Sequence, residues 1–250
     1  MAYPPNDDYQ QKLDKYYQYR KSVTARSLRY FHRQRLDAIF ALISDSHGKQ
    51  LDLLNILDAG CGRGANIIRY AKQGAHLIGV DISEGALRES NDWVEKESVQ
   101  DKVSLVQGDI LNLPFTDNSF DVIISSDVLS MSGHADLGIN IMARLLKSGG
   151  TAIIAFPNPL SLFWIIIWII QRLANLLGIK VPGDNVFSRF SYWNIKSVIK
   201  RTGLTSRKAC SIYIIPFLHF EAYNKLEERL RYRFPFRYIG THIVIEALKE

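Results

Sequence analysis

Three aspartates close three short apolar runs: Asp58 in I-L-D-A (56–59), Asp81 in G-V-D-I (79–82) and Asp109 in G-D-I (108–110). An ionised carboxylate only accepts hydrogen bonds, so a row of three suits a ligand rich in donors: an amine, a diol, an exocyclic amino group. Behind the first aspartate stand Gly60, Gly62 and Gly64. Glycines on alternate positions permit positive φ and clear side chains from the backbone, so a ligand can approach the free N–H groups of the next helix. Gly60-x-Gly62-x-x-Ala65 also satisfies the dinucleotide fingerprint, with Asp81 about where its ribose-binding acid belongs. The glycine turn alone leaves both ligand classes open. The row of acids favours a ligand with an amino group, a ribose diol and an adenine amine over a pyrophosphate.

Other chemistry-bearing residues are few. His134, in S-M-S-G-H (130–134), follows the fourth apolar run and is the candidate general base. No His, Cys, Asp and Glu cluster has metal-ligand spacing, so no metal is expected. Cys61 and Cys210 cannot form a disulfide framework, which fits a reducing compartment. The start, M-A-Y-P-P-N-D-D-Y, lacks the basic-then-apolar pattern of a leader, and the expected location is cytoplasmic.

The elements that must position these residues alternate. β-rich runs at 53–58, 76–80, 103–107, 120–125 and 151–156 are separated by helical stretches around 64–73, 83–97 and 135–147. Such alternation predicts right-handed crossovers and a Rossmann-like, doubly wound α/β sheet. Residues 1–45 carry helical spacing in Leu28, Phe31, Leu36, Ile39, Phe40 and Ile43 and are expected to form an N-terminal helical cap on a domain spanning 46–250. A further helix is expected at 191–202, with strands at 209–215 and 240–247.

Four motifs in order resemble the class I S-adenosylmethionine-dependent methyltransferases, in their small ubiquinone- and menaquinone-biosynthesis-like branch. They are I-L-D-A-G-C-G-R-G (56–64), G-V-D-I-S (79–83), G-D-I-L-N-L-P-F-T-D-N-S-F-D (108–121) and L-L-K-S-G-G-T (145–151), the last with Ser148 where proline is usual. The resemblance implies a seven-stranded sheet, mostly parallel with an antiparallel last strand, and S-adenosyl-L-methionine as cofactor. It implies that Asp58 with the backbone at Gly60 and Gly62 holds the methionine part. Asp81 would take the ribose hydroxyls, Ile82 would pack on the adenine, and Asp109 with the Ile110 N–H would read its edge. Ser126 would open the loop beside the reacting sulfur, and Arg35, in R-Q-R-L-D-A-I (33–39), would reach the cofactor carboxylate.

The acceptor is read from what remains. Lys and Arg number 17 against 19 Asp and Glu up to residue 150, but 14 against 6 from 151 onward. The insertion 157–190 carries L-S-L-F-W-I-I-I-W-I-I (160–170), with Trp164 and Trp168 one helical turn apart and Phe163 beside them. The run is too short to span a bilayer. The covering helices of the sheet are already accounted for, so this segment is expected to be a lid or an interfacial helix rather than core. With the basic tail it points to a hydrophobic small-molecule acceptor (lipid, quinone or isoprenoid-like), to O- or C-methylation, and to peripheral contact with an anionic membrane. The alternatives are a soluble metabolite, RNA, or cofactor binding without catalysis. S-S-D-V-L-S (125–130) lacks the N/D-P-P-Y/F/W motif of adenine amino-methylation, which argues against nucleic acid.

Overall fold

A computed structural model describes residues 26–48, 51–177, 191–214 and 221–250. Seven strands form one sheet: β1 (Asn55–Ala59), β2 (His76–Asp81), β3 (Val103–Gln107), β4 (Phe120–Ser126), β5 (Leu146–Pro157), β6 (Leu204–Ile212) and β7 (His242–Lys249). Their order is β3-β2-β1-β4-β5-β7-β6, and β7 alone runs antiparallel to its neighbours. The order reverses between β1 and β4, where a doubly wound sheet opens a crevice at its carboxyl edge. Helices α1 (Arg26–His47), α2 (Ala65–Ala71), α3 (Glu84–Lys96), α4 (Val128–Ser132), α5 (Ala135–Leu145), α6 (Leu162–Leu176), α7 (Tyr192–Arg201) and α8 (Glu221–Leu230) complete the described chain with a 3₁₀ turn at Phe236–Tyr238.

The strands are apolar on both faces, which is what a sheet covered by helices on each side requires. Along β4 and β5, Ile123, Ala152 and Ile154 join one core cluster while Val122, Ile124, Ile153 and Ala155 join the other. The first cluster is closed by Ile139 and Met142 of α5 and by Ile195, Val198 and Ile199 of α7. The second is closed by Ala38, Ile39, Leu42 and Ile43 of α1, by Ile67 and Tyr70 of α2, and by Leu87 and Val94 of α3. The described part of the expected N-terminal cap is thus a layer of the sheet's own core. Residues 1–25 of that cap lie outside the described residues, as do 178–190 of the insertion.

The larger departures from the sequence reading fall in the second half of the chain. β5 begins at Leu146 rather than 151, β6 spans Leu204–Ile212 rather than 209–215, and α8 was not foreseen. In β6 the polar residues Ser206, Arg207 and Lys208 mask the strand period, and α8 carries no strong start signal.

α6 behaves unlike its neighbours. Trp164, Ile165, Ile166, Trp168, Ile169, Ile170, Leu173 and Leu176 are all exposed to solvent among the described residues. Ser161 caps its start, its hydroxyl accepting from the Trp164 N–H at 3.2 Å. Asn158 pins the preceding turn, its side-chain amide donating to the carbonyls of Tyr238 and Gly240 at 2.7 and 2.9 Å. Among the described residues, no helix is long and apolar enough to cross a membrane.

Candidate cofactor cleft and its family

The crevice is built from the ends of β1, β2, β3 and β4, with α1 along one wall. Gly60, Gly62, Asp81, Ile82, Asp109, Ile110 and Ser126 line it, as the sequence reading expected, together with Arg35. The turn after β1 is held by two N–H groups, of Gly60 and Cys61, donating to the Val80 carbonyl at 2.7 and 2.9 Å. Gly60 has φ +88, and a Cβ there would lie 2.1 Å from a Val128 methyl. Both the conformation and the crowding demand glycine, and Val128 itself lines the cleft.

Asp81 accepts from the Gly62 N–H at 2.8 Å and from the Ser83 N–H at 2.9 Å. It therefore ties the glycine turn to the start of α3 while keeping lone pairs for a ligand. Asp109 accepts from the Leu111 N–H at 2.9 Å, which fixes its carboxylate at the rim.

Asp58 takes a different place. It is fully buried rather than in the cleft lining, and among the described residues neither carboxylate oxygen meets a partner of good hydrogen-bond geometry, with Asn66 nearby. Burial raises its pKa to about 7, with the nearby Asp81 charge adding to the rise and Asn66 and Arg35 opposing it. The carboxyl is buried rather than open to a ligand.

His134 also falls elsewhere. It is exposed at the start of α5, outside the cleft lining, and its N–H donates to the Ser132 hydroxyl at 3.2 Å. α4 displaces it: five residues of helix fill the space where the sequence reading placed a loop.

Two residues that the sequence reading passed over sit in the cleft with Arg35. Asp127 adopts φ +69, which Asp tolerates better than most side chains, and its N–H donates to the Ala155 carbonyl at 2.8 Å. This turns its carboxylate toward Arg35, and the two form a largely buried ion pair. His32, one helical turn before Arg35, brings its Nδ1 within 3.2 Å of the guanidinium. His242 of β7 completes the group, with Nε2 3.5 Å from Asp127, and burial lowers its pKa to about 4. The signal for Asp127 was its position at the end of β4, beside Ser126, but its partner is 92 residues away.

Cys61 is buried without a disulfide, and burial, then the charges of Asp58 and Asp81, pushes its thiol up. A neutral thiol is a poor nucleophile. Among the described residues, no group of His, Cys, Asp and Glu is arranged to hold a metal ion.

Residues 51–188 match the profile of a family described as a methyltransferase domain. The chain belongs to this class I methyltransferase family. S-adenosylmethionine is the family's methyl donor. Among similar curated proteins, a sterol 24-C-methyltransferase of Gibberella zeae is 34% identical over 100 residues, 39% of this chain and 26% of that protein. A demethylmenaquinone methyltransferase of Bacteroides fragilis is 36% identical over 101 residues, 40% of this chain and 41% of that protein. The chain thus matches less than half the length of either relative. A solved structure, the magnesium protoporphyrin IX methyltransferase of Synechocystis with bound S-adenosylhomocysteine, shares the fold with a TM-score of 0.65. It is 21% identical and covers 90% of this chain and 86% of that one.

The cleft fits the family's donor on its own chemistry. A side-chain-free turn, acceptors at Asp81 and Asp109, and the apolar Ile82 and Ile110 supply contacts for an amino acid, a ribose and an adenine.

Asp58 and His242 give opposing pH dependences. Asp58 has a folded pKa near 7 against 3.8 for the free group, so between these values the folded state holds more protons and stability falls as pH rises. His242 has a folded pKa near 4 against 6.5, so there the unfolded state holds more protons and stability rises with pH. Each slope is about 1.4 kcal/mol per pH unit, and they offset where they overlap. Asp58→Asn removes one of them. Urea titrations should show the variant gaining on the wild type by about that slope from pH 4 to 7, levelling above. A constant difference across this range would mean that Asp58 stays ionised in the fold.

Proposed function

We propose that the protein transfers a methyl group from S-adenosylmethionine to a hydrophobic small-molecule acceptor, at oxygen or carbon, while resting on an anionic membrane surface. The observation that carries the acceptor class is α6. It leaves the same sheet edge as the cofactor cleft, five residues past β5, and exposes apolar side chains along its length. The sterol and menaquinone methyltransferases it resembles are named for acceptors of this kind. Phe163, Trp164 and Trp168 are the residues assigned to the acceptor or the lipid surface.

S-adenosylmethionine supplies an already activated methyl group. The protein's part is alignment and exclusion of water, and an acid–base residue is needed only for a weakly acidic acceptor. Asp81 and Asp109 orient the nucleoside, Gly60 and Gly62 keep side chains out of the turn so that the ligand can approach it, and Ser126 borders the reacting end. Asp58 is buried just before the turn. His134 remains the candidate for proton removal only if the acceptor carries its hydroxyl to the α4–α5 turn. The test is to incubate the protein with labelled S-adenosylmethionine and a host lipid extract and identify what becomes labelled. Label confined to water-soluble metabolites or RNA would replace this reading.

Arg35 is assigned to the cofactor carboxylate, exchanging some of its contact with Asp127 for the ligand. Arg35→Gln is expected to weaken S-adenosylhomocysteine binding roughly tenfold, the scale of one charge-assisted hydrogen bond, and to spare 5′-methylthioadenosine, which lacks the amino-acid tail. Equal losses for both ligands in calorimetry would confine Arg35 to its pair with Asp127.

A further inference from the structure

A second cleft, sharing no residue with the first, lies over β6 and the start of α7. Its cations are Lys196, Arg207, Lys208 and Arg237, and among the described residues one acid, Asp45, faces them. Lys208 meets Asp45 at 3.1 Å, so the excess positive charge rests on the other three. Tyr192, Tyr232 and Tyr238 add phenol groups to the walls.

The backbone is shaped to gather these charges. In an unbroken strand Arg207 and Lys208 would point to opposite faces. The ladder to β7 instead pairs Ser206 with Ala247 and Lys208 with Glu246, leaving Arg207 as an extra residue in a bulge. Such a bulge re-aims side chains, and both cations line the cleft. The Arg237 guanidinium stacks 4.7 Å from the Tyr238 ring centre, and its Nε is buried without a hydrogen-bond partner among the described residues. The Lys196 amine lies 5.8 Å from the Tyr192 ring centre.

We infer that this cleft binds a phosphate monoester carried by a membrane lipid. Two guanidinium forks and an amine match a doubly charged group with several acceptor oxygens better than they match a lone carboxylate. The rim supplies the reason for a lipid source. The Tyr238 ring centre lies 5.6 Å from that of Trp193, in a tilted pair, and 6.3 Å from that of Phe234, edge to face, and both of these neighbours are exposed. The carbonyl of Tyr238 also holds Asn158 at the approach to α6. An exposed aromatic rim beside a cationic pocket matches the boundary between headgroups and acyl chains. The inference rests on the membrane part of the proposed function and concerns binding alone.

The test compares vesicles of phosphatidylcholine doped with phosphatidic acid or, at matched surface charge, with phosphatidylserine, using sedimentation of the full chain without methyl donor. The wild type is expected to prefer phosphatidic acid, and inorganic phosphate should reduce that preference. Lys196→Gln with Arg207→Gln, both exposed, should lose about twenty-fivefold in affinity for phosphatidic-acid vesicles, from about fivefold per charge near an anionic surface. S-adenosylhomocysteine affinity should not change in this variant. Arg237→Gln should weaken the same preference. Equal binding to both lipids, or full binding by the double variant, would overturn the site. So would a charge-dependent response to inorganic phosphate or a single-stranded oligonucleotide in a protein that ignores vesicles. Failure of methyl transfer to lipid extracts would leave these outcomes untouched.

Discussion

Replacing Asp81 by Ala is expected to lower S-adenosylhomocysteine affinity between roughly tenfold and a hundredfold. A carboxylate that accepts both ribose hydroxyls contributes two charge-assisted hydrogen bonds, each worth about 1.5–3 kcal/mol before water replaces them, and about 1.4 kcal/mol is tenfold. The structure adds a second route to the same loss. Asp81 accepts from the N–H groups of Gly62 and Ser83, so the variant also frees the glycine turn from the start of α3. Asp81→Asn separates the two contributions: it keeps one acceptor oxygen for the backbone but loses the charge. Its affinity should fall between wild type and Ala. Calorimetry showing wild-type affinity in a folded Asp81→Ala protein would remove Asp81 from the site.

Trp164→Glu with Trp168→Glu is expected to abolish binding to anionic vesicles while leaving S-adenosylhomocysteine affinity intact. Both indoles are accessible, at 38% and 52%, so carboxylates there meet water and the fold should tolerate them. Fully burying one large apolar side chain gives about 1.5–3 kcal/mol, and an interfacial helix sinks only one of its faces. Several residues of α6 together still supply several kcal/mol, and two new negative charges oppose an anionic surface directly. Arg172, Arg229 and Arg233 are exposed and add attraction that salt should weaken. Arg231, one of the basic residues of the same tail, is buried beside Cys210 and cannot contribute. The double variant should also differ from Lys196→Gln with Arg207→Gln: it loses all vesicle binding whatever the headgroup. Unfolding of the tryptophan variant, with a wild type that ignores vesicles, would assign α6 to packing.

The sheet and the glycine turn were legible because their causes are local. Apolar side chains on both faces of Ile56–Ala59 and Val122–Ser125, separated by helical stretches, admit only a sheet covered on each side. Gly60 must be glycine for its φ, and the run that precedes it ends a strand, so the turn, Asp81 and Asp109 could be placed at one sheet edge from spacing alone. The contacts made across the sequence could not be so placed. Arg35 meets Asp127 only because α1 packs on β5, β6 and β7 and so brings Arg35 to the residue that follows β4, and His242 reaches the same carboxylate from an antiparallel strand near the end of the chain. Asp58 stands one residue from the end of β1 and Asp81 ends β2, and the register of the two strands sets both on one face of the sheet. Only the packing around them leaves Asp58 fully buried and Asp81 in the lining of the cleft. The setting of α6 was likewise beyond the sequence. A helix apolar on every side has the same periodicity whether it is core or surface, and only the completed packing of the other helices shows that the described fold leaves it exposed.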